Sequence, residues 1–306
     1  MAWSESDIPD LSDRTFVVTG ANSGIGWEAA RMFAARGARV VMACRTVSKG
    51  EEAAARIREH APGARLEVMA LDLADLDSVR AFAGGLASVH RQVHALVNNA
   101  GVMAISYART AQGFEMQLGT NHFGHFALTG LLLDALAPGA RVVNVSSGVH
   151  RLGTFDWTDL NWERGYSEWP AYCRSKLANL FFTFELDRRL KAAGSTCLGV
   201  ACHPGYAATN LQFVGPQQRE SALGTFVMSA GNALFAQSAA NGALPTVFAT
   251  VSPTIHGSEY VGPRVFQAWG APSVQATAPR AQDPAGWKKL WEASEKRTGV
   301  RFLPIT

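Results

Sequence analysis

The sequence predicts an α/β fold in which a doubly wound parallel sheet carries helices on both faces, and three observations indicate it. Short β-branched runs alternate with longer segments of helical spacing through the first two hundred residues, and this alternation is typical of βαβ units. The short runs are apolar on both sides, as strands buried on both faces are. No Pro/Gly/Ser-rich linker interrupts the chain, so one domain is expected over residues 1–306.

Each predicted element follows from its local pattern. The β-branched runs predict strands at Thr15–Thr19, Arg39–Ala43, Leu66–Leu71, Ala95–Asn98, Arg141–Ser146 and Cys197–His203. Helical spacing predicts helices at Ile25–Ala35, Lys49–Glu59, Ser78–Val89, Phe114–Leu136 and Ala171–Leu190. Residues 283–297 form an amphipathic pattern with Trp287, Leu290 and Trp291 on one side, which predicts a helix that covers the core. Right-handed crossovers then give the doubly wound arrangement.

Two long segments interrupt the alternation and are candidates for a binding site. Residues 151–169 carry three tryptophans among acidic and turn residues, and we expect them to form an extra lobe. Residues 206–240 mix apolar side chains with Gly and Ser, and we expect a substrate lid there. Loops of this length in a compact domain are usually functional. Simple packing of the loops onto the domain explains their apolar residues equally well.

Bulk composition excludes several classes of protein. Hydrophobic residues make up 47% of the chain and charged residues 17%, an ordinary globular balance. The net charge is +3 without a Lys/Arg run, so no nucleic-acid partner is expected. No stretch reaches the roughly 18–20 apolar residues of a membrane span, and Met1–Asp13 does not resemble a signal peptide, so we expect a cytoplasmic protein with no membrane partner. The four cysteines form no metal-binding spacing, so reduced thiols and no metal are expected.

A glycine-rich turn joins the first predicted strand to the first predicted helix. Its sequence is Thr19-Gly20-Ala21-Asn22-Ser23-Gly24-Ile25-Gly26. Such a turn lets backbone N–H groups approach a pyrophosphate at the helix N-terminus, although this spacing differs from the commoner fingerprint. Gly20 is predicted to allow the tight turn, Gly24 the close approach and Gly26 the helix–strand packing. Asn22, Ser23 and Ile25 belong to the same predicted cofactor site. A tight turn without a ligand is the alternative.

Arg45 bears on the choice of cofactor. An NAD-binding site usually places Asp or Glu at the end of the second strand, where it binds the ribose 2′-hydroxyl. This chain has Cys44 there, and Arg45 follows at once. A guanidinium at this position can pair with a 2′-phosphate, so NADP(H) is predicted over NAD(H). A plain surface charge is the alternative role for Arg45.

Tyr172 and Lys176 are the candidate acid/base pair. Positions i and i+4 lie on one face of a helix. A nearby cation lowers the pKa of a phenol toward the range that is useful for acid/base catalysis, so Lys176 is expected to lower the pKa of Tyr172. Tyr-x-x-x-Lys is common by chance, and an ordinary helix pair is the alternative.

Polar residues at other strand ends strengthen this interpretation. Ser146 and Ser147 end the fifth predicted strand, at the edge where open α/β sheets bind ligands, and a hydroxyl there can bond a reacting carbonyl. Asn121 lies in a predicted helix, an unfavourable place for Asn. Further signals at the same rim are Asp72, Asn98-Asn99-Ala100-Gly101 and His203-Pro204-Gly205.

Together these residues resemble the short-chain dehydrogenase/reductase family over roughly residues 12–265, which implies a Rossmann fold. The matching set is Thr19-Gly20-x-x-x-Gly24-x-Gly26, Asp72, Asn98-Asn99-Ala100-Gly101, Asn121, Ser147, Tyr172-x-x-x-Lys176 and Pro204-Gly205-x-x-x-Thr209. Finer features resemble the retinol dehydrogenase-like branch, which is also similar to WW-domain oxidoreductases and mostly uses NADP(H). They are Ala43-Cys44-Arg45 and Ser175-Lys176-Leu177-Ala178-Asn179.

The resemblance implies a role for each matching residue. Tyr172 would be the acid/base, and Ser147 would orient the carbonyl, with Ser146 as the fallback. Lys176 would lower the pKa of Tyr172, and Asn121 would hold a water in a proton relay through Lys176. The positions implied in cofactor binding are Asp72 at the adenine, Asn98 at the adenosine ribose and Thr209 at the nicotinamide or phosphates, with Leu73, Ala100, Gly101, Pro204 and Gly205 beside them.

The predicted reaction is reversible hydride transfer between the nicotinamide of NADP(H) and a carbonyl or alcohol carbon of an apolar small molecule. Reduction of an activated carbon–carbon double bond is the alternative chemistry. An NADP(H)-sensing regulatory protein is the alternative from another class, although such proteins typically lose the tyrosine or the lysine. The long helices predicted at 114–136 and 171–190 would serve either as a face for a homodimer or homotetramer, or as buried helices of a monomer.

Overall fold

An eight-stranded sheet forms the centre of the computed structural model, which describes residues 2–206 and 238–304. Its strands are β1 (Thr15–Thr19), β2 (Arg39–Cys44), β3 (Arg65–Ala70), β4 (Val93–Asn98), β5 (Leu136–Val145), β6 (Leu198–Cys202), β7 (Tyr260–Val265) and β8 (Trp269–Val274). They are ordered β3-β2-β1-β4-β5-β6-β7-β8. Within these described residues β1 to β7 are parallel and β8 is antiparallel to β7. The predicted doubly wound parallel α/β sheet is therefore confirmed, with one antiparallel strand added at its edge.

Helices connect the strands and flank the sheet. They are α1 (Gly24–Ala35), α2 (Val47–His60), α3 (Leu76–Val89), α4 (Met116–Leu118), α5 (Gly124–Leu131), α6 (Glu168–Ala192), α7 (Ala239–Val251) and α8 (Pro284–Thr298). The predicted helices that correspond to α1, α2, α3, α6 and α8 are confirmed. Among the described residues, none of the helices has both the length and the hydropathy that a membrane crossing requires.

The single helix predicted over Phe114–Leu136 is wrong. Helix α4 passes through a π-helical turn at Gly119–Phe123 into α5, and β5 already begins at Leu136. Gly124 brings α5 against the loop after β3, since a Cβ there would lie 2.4 Å from the carbonyl oxygen of Leu73. Asn121 lies in this π-helical turn and not in a regular α-helix. Single π-helical turns are frequent at functional sites.

The sheet separates two apolar cores. Val17 belongs to the core that α3, α5, α6 and α8 cover, whereas its neighbours Phe16 and Val18 belong to the core under α1, α2 and α7. All three residues are at most 3% exposed. Because successive strand residues enter opposite cores, the strands are continuous apolar runs. Helices on both faces are thus confirmed.

Helix α6 is buried along most of its length. Phe184 and Phe182 pack against Trp287 and Trp291 of α8, with ring centroids 5.3 and 5.9 Å apart. Trp291 is only 2% exposed. The amphipathic helix near the carboxyl terminus therefore covers the core as predicted. It also covers a face of α6 that the sequence alone offered as a surface for a second copy.

Candidate active site

The carboxyl ends of the parallel strands meet at one rim of the sheet. The register aligns Asn98 with Asn144, and Val145 with Cys202, so the segments that follow these strands lie side by side. From β1 the chain moves outward to β3 and then returns to β4 on the other side of β1. Open α/β sheets bind ligands in the crevice at such a switch point.

The glycine-rich turn lies on this rim between β1 and α1. Gly20 and Gly24 have φ values of +67° and +54°, which residues with side chains rarely adopt. A Cβ on Gly26 would lie 2.4 Å from the Gly20 oxygen, so the helix packs against the turn only because residue 26 has no side chain. Ser23 is exposed at the N-cap and makes no side-chain capping bond, which leaves the first amides of α1 open to an anion. The turn brings together the predicted set Gly20, Asn22, Ser23, Gly24, Ile25 and Gly26.

Thr19 fastens this turn to the end of β4. Its buried Oγ1 accepts hydrogen bonds from the backbone N–H of Asn99 at 2.9 Å and of Ala100 at 3.0 Å. The Asn99 side-chain amide donates to the Thr19 carbonyl at 2.8 Å, and His125 Nε2 lies 3.0 Å from the Thr19 hydroxyl. This network fixes Ala100 and Gly101 at the rim, where both are partly exposed.

Arg45 and Asp72 follow β2 and β3 at adjacent positions of the rim. Arg45 is exposed and, within the described residues, makes no hydrogen bond or ion pair. Asp72 is partly buried, and its Oδ1 accepts a hydrogen bond from the Ala74 N–H at 2.9 Å. Leu73 is 6% exposed and contacts the start of α5. Their predicted contacts with the adenosine half of a cofactor stay predictions.

Asn98 lies inside the fold and not on the rim. It is 1% exposed, and its amide donates to Asn144 Oδ1 at 2.8 Å and to Thr129 Oγ1 at 3.1 Å. Asn144 in turn donates to Thr183 Oγ1 at 3.0 Å, so these residues tie β4 and β5 to α5 and α6. The Asn98 side chain thus has a connecting role in the fold, and its predicted contact with the adenosine ribose stays a prediction.

The two serines after β5 have different surroundings. Ser146 is 2% exposed, and its Oγ donates to the Lys176 carbonyl at 2.8 Å. Ser147 is partly exposed; its Oγ accepts the Val149 N–H at 3.4 Å, and its hydroxyl is close enough to the Tyr172 phenol to lower the pKa of that phenol. Ser147, rather than the fallback Ser146, therefore presents a hydroxyl beside the candidate acid.

Tyr172 is buried near the start of α6. Burial raises the pKa of its phenol above the ordinary value, and the nearby Ser147 hydroxyl opposes that rise. A raised pKa keeps the phenol protonated at neutral pH. Tyr172 therefore starts as a proton donor that lies beside the Ser147 hydroxyl.

Lys176 lies beside Tyr172 with its ammonium buried. Its Nζ donates to the Val145 carbonyl at 3.1 Å and lies 5.6 Å from the centroid of the Tyr172 ring. Burial lowers the pKa of Lys176 to about 8, and the Cys202 thiol opposes this effect. We predicted that Lys176 lowers the pKa of Tyr172. Burial is the largest influence on the pKa of Tyr172 in this structure, and Ser147 is the next, so the predicted effect of Lys176 stays a prediction.

Asn121 joins the π-helical turn to the rim. Its Oδ1 accepts the Val102 N–H at 2.8 Å, and its Nδ2 donates to the Val102 carbonyl at 2.9 Å and to Ser175 Oγ at 2.8 Å. A Cβ on Gly101 would lie 2.9 Å from Asn121 Oδ1 and 3.7 Å from Lys176 Nζ. Glycine at 101 thus keeps open the space between the amide and the ammonium.

The turn after β6 completes the described part of the rim. Buried His203 stacks on Tyr260 with ring centroids 4.9 Å apart, and its Nδ1 accepts the Gly205 N–H at 3.2 Å. Burial lowers the pKa of His203 to about 3, so the ring is neutral. Pro204 and Gly205 are partly exposed after it. Thr209 and nearly all of the predicted lid, 206–240, lie outside the described residues.

Apolar side chains flank Tyr172. Met103, Ala104 and Val149 form one small cluster with it. The Trp169 ring, 49% exposed, stands edge-on to the Tyr172 ring with centroids 6.1 Å apart. Ala104 has a φ of +48°, a conformation that is strained for a non-glycine residue and is concentrated at functional sites. The site therefore has an apolar wall next to its candidate acid.

A buried ion pair attaches the tryptophan-rich segment to α6. Arg174 Nη2 lies 3.5 Å from Glu115 Oε2, and both side chains are at most 1% exposed. Arg174 also donates to the carbonyls of Asp159 and Leu160 at 3.2 and 3.0 Å, and its guanidinium lies 4.5 Å from the Trp162 ring centroid. Arg174, in the middle of the Tyr-x-x-x-Lys motif, thus holds this segment against α6.

Sequence reasoning missed several of these supporting side chains. Arg174 stands among apolar residues of its helix, and a cation in that setting indicates a buried partner. Glu115 precedes α4 and accepts the N–H groups of Gln117 and Leu118, as a helix cap does. His125 and Ser175 carry no comparable signal, because each acts through a contact far away in the sequence.

Comparison with known proteins agrees with this geometry. The short chain dehydrogenase family profile matches residues 14–219. Human retinol dehydrogenase 12 is 42% identical over 295 residues, which cover 95% of this chain and 88% of that protein. A crystal structure of an uncharacterized protein from Mycobacterium paratuberculosis covers 100% of both chains at 44% identity with a TM-score of 0.83. A short chain dehydrogenase from Shigella flexneri complexed with NADP is 25% identical, with a TM-score of 0.56, over 69% of this chain and 84% of its own.

The chain belongs to the short-chain dehydrogenase/reductase family. Its relatives assign it to the retinol dehydrogenase-like branch, as the sequence motifs predicted. It is therefore an NAD(P)-dependent oxidoreductase that acts on small molecules.

Proposed function

We propose that this chain uses NADP(H) to interconvert a carbonyl and an alcohol on an apolar small molecule. The proposal rests on one observation above all: Ser147, Tyr172, Lys176 and Asn121 lie together at the carboxyl edge of the sheet, with Ser147 close enough to the Tyr172 phenol to lower its pKa. A phenol with a positioned hydroxyl can exchange a proton with a substrate oxygen.

Tyr172 gives a proton to the substrate oxygen in reduction and takes one in oxidation. Its raised pKa favours the proton-giving form at neutral pH. Ser147 stabilises the charge that develops on the oxygen. Solvent returns a proton to Tyr172 through the space beside Gly101, between Asn121 and Lys176, and then past the Lys176 ammonium. When bound, the nicotinamide supplies or accepts the hydride.

The rim fits a dinucleotide because its backbone forms a cradle that side chains would fill. Positive φ angles at Gly20 and Gly24 and the uncapped start of α1 suit a pyrophosphate. The proposed adenosine contacts come from Asp72, Leu73, Ala100 and Gly101. Pro204 and Gly205 follow β6 on the nicotinamide side, and Thr209 is proposed to extend that contact.

Arg45 is proposed to select NADP(H) through a charge-assisted bond to the 2′-phosphate. It is exposed at the end of β2 and, among the described residues, has no partner. The Shigella flexneri relative in complex with NADP supports the assignment.

Fluorescence titration with NADPH and NADH tests this selectivity. Arg45→Asp should weaken NADPH binding by about tenfold or more and leave NADH binding unchanged or improved, since one charge-assisted bond is lost. Arg14→Asp, on an exposed residue at the amino end of β1, should change neither affinity. Equal affinities for the two cofactors, unaffected by Arg45→Asp, would contradict the proposal.

The apolar wall of Met103, Ala104 and Val149 supports an apolar substrate. The name of retinol dehydrogenase 12, an enzyme named for an apolar alcohol, agrees with this substrate class. A panel of ketones, aldehydes and alcohols of increasing apolar size, followed by NADPH absorbance, tests it. We expect kcat/KM to rise with apolar size. Uniform kcat/KM across the panel, or saturated products from enone substrates in place of alcohols, would count against it.

A further inference from the structure

His150 lies in the short helix that follows Ser147, and it is completely buried. Its Nδ1 lies 2.7 Å from the Ser147 carbonyl oxygen, and its Nε2 lies 3.0 Å from the Ala278 backbone nitrogen. The imidazole therefore bridges the turn of Ser147 and the segment that follows β8. The mechanism above does not use this side chain.

The two partners determine which ring nitrogen carries the proton. A carbonyl oxygen only accepts, so Nδ1 must donate to Ser147; a backbone N–H only donates, so Nε2 must be bare. The Tyr260 hydroxyl lies 3.5 Å from Nδ1, a much longer contact than the bond to Ser147. Burial also lowers the pKa of His150, so the ring is neutral with its proton on Nδ1.

An aromatic ring also packs against the imidazole. The Tyr260 ring packs edge-on against His150 with centroids 5.3 Å apart, and the same tyrosine stacks on His203 at 4.9 Å. A Cβ on Gly262 would lie 1.9 Å from His203 Nε2, so this stack is tightly enclosed. The His150 ring therefore cannot rotate away from Ser147 without disturbing its contacts with Tyr260 and Ala278.

We infer that His150 is a positioning residue, which holds the Ser147 main chain so that the Ser147 hydroxyl meets the Tyr172 phenol. The Ser147 carbonyl accepts both the backbone N–H of His150, at 3.1 Å, and the Nδ1–H of its ring. Two donors from one residue restrict the rotation of the peptide that carries the Ser147 side chain. This inference rests on the proposed function, since it assigns the imidazole a purpose in the Ser147–Tyr172 contact.

Two substitutions separate positioning of Ser147 from general support of the fold. In His150→Asn the side-chain amide can take the place of Nδ1 and still donate to Ser147, but it does not reach Ala278. In His150→Gln the longer side chain can accept from Ala278 and loses the geometry toward Ser147. A positioning role predicts that His150→Asn keeps kcat within about threefold of wild type, while His150→Gln loses about tenfold, as the misplacement of one catalytic group does. KM should change less than twofold in both.

A double substitution shows whether the effect passes through Ser147. In a Ser147→Ala background, His150→Gln should cause no further loss of kcat, because the hydroxyl that His150 positions is already absent. His90→Asn serves as the control, since His90, which directly follows α3, is also buried but bonds Glu67 of β3. It should leave kcat unchanged.

The inference is overturned if the kcat of His150→Gln equals or exceeds the kcat of His150→Asn. It is also overturned if His150→Gln still lowers kcat in the Ser147→Ala background. Nitrogen-15 NMR of the histidine rings in the free protein gives a readout that needs neither activity nor folded variants. One protonated Nδ1 and one bare Nε2 are expected at His150, and protonation at Nε2 would also overturn it.

Failure of the proposed function is distinguishable, because then wild type and Tyr172→Phe turn over substrate alike, while the NMR result stands by itself.

Discussion

Replacing Lys176 with methionine should stabilise the protein while it abolishes turnover. Lys176 is 3% exposed, and within the described residues its ammonium has one hydrogen bond, to the Val145 carbonyl. Burial lowers its pKa from 10.5 to about 8. At neutral pH the folded protein therefore carries a charge that its surroundings disfavour, and a neutral side chain of similar length removes that penalty.

The magnitude follows from the pKa. Each pKa unit corresponds to about 1.4 kcal/mol, so the depression of the Lys176 pKa costs the folded state roughly 3 kcal/mol. The lost hydrogen bond offsets about 1 kcal/mol, because the Val145 carbonyl still accepts from Asn179 Nδ2 at 3.0 Å. Lys176→Met should therefore raise the free energy of unfolding by about 2 kcal/mol at pH 7, or the melting temperature by about 4 °C.

The pH dependence gives this prediction its sign. Between pH 8 and 10.5 the unfolded chain binds more protons at Lys176 than the folded one does, so wild-type stability rises with pH in that window. The methionine variant lacks this rise, and its advantage should be full below pH 8 and gone near pH 10. Urea unfolding at both pH values measures it. Lys288→Met, at a lysine that is 67% exposed, should change stability by less than about 0.5 kcal/mol. A Lys176→Met variant less stable than wild type at pH 7 would refute the reasoning.

Two further substitutions test the scaffold of the site. Arg174→Met leaves the buried Glu115 carboxylate unpaired and should cost about 3–5 kcal/mol in urea unfolding. Arg188→Met, at an arginine whose side chain is 46% exposed, should cost less than about 1 kcal/mol; equal losses would contradict the buried ion pair. Gly26→Ala places a Cβ 2.4 Å from the Gly20 oxygen, so cofactor affinity measured by fluorescence should fall about tenfold or more. Gly84→Ala, where nothing lies within 4 Å, should preserve affinity; loss of affinity in both would point away from the glycine turn.

The strands that the sequence predicts are those whose burial determines their composition. β1, β2 and β4 lie between two cores, so each is mostly apolar. β7 and β8 contain Gly262, Pro263, Gly270 and Pro272, which weaken any local strand pattern. Their pairing with β6 and with each other forms them, and that pairing is not visible in a local pattern.

The candidate site, like the sheet, contains some residues that the sequence predicts and others that it does not. Turn glycines and strand-end residues such as Ser147 are visible because their positions follow from the βα rhythm. The partners of those residues depend on tertiary packing: Glu115 and Arg174 are 59 positions apart in the sequence. The orientation of Asn98 into the sheet, and burial as the main influence on the pKa of Tyr172, also emerge only when the neighbouring elements are in place.

Tyr172→Phe tests the acid/base assignment most directly, because it removes the phenol oxygen and keeps the ring that packs against Met103 and Val149. Single-turnover reduction followed by NADPH absorbance should slow by about 10³-fold, while NADPH binds within about twofold of wild type. Tyr107→Phe, at a tyrosine 41% exposed, should behave as wild type. Turnover of Tyr172→Phe within tenfold of wild type, with cofactor bound normally, would contradict the account.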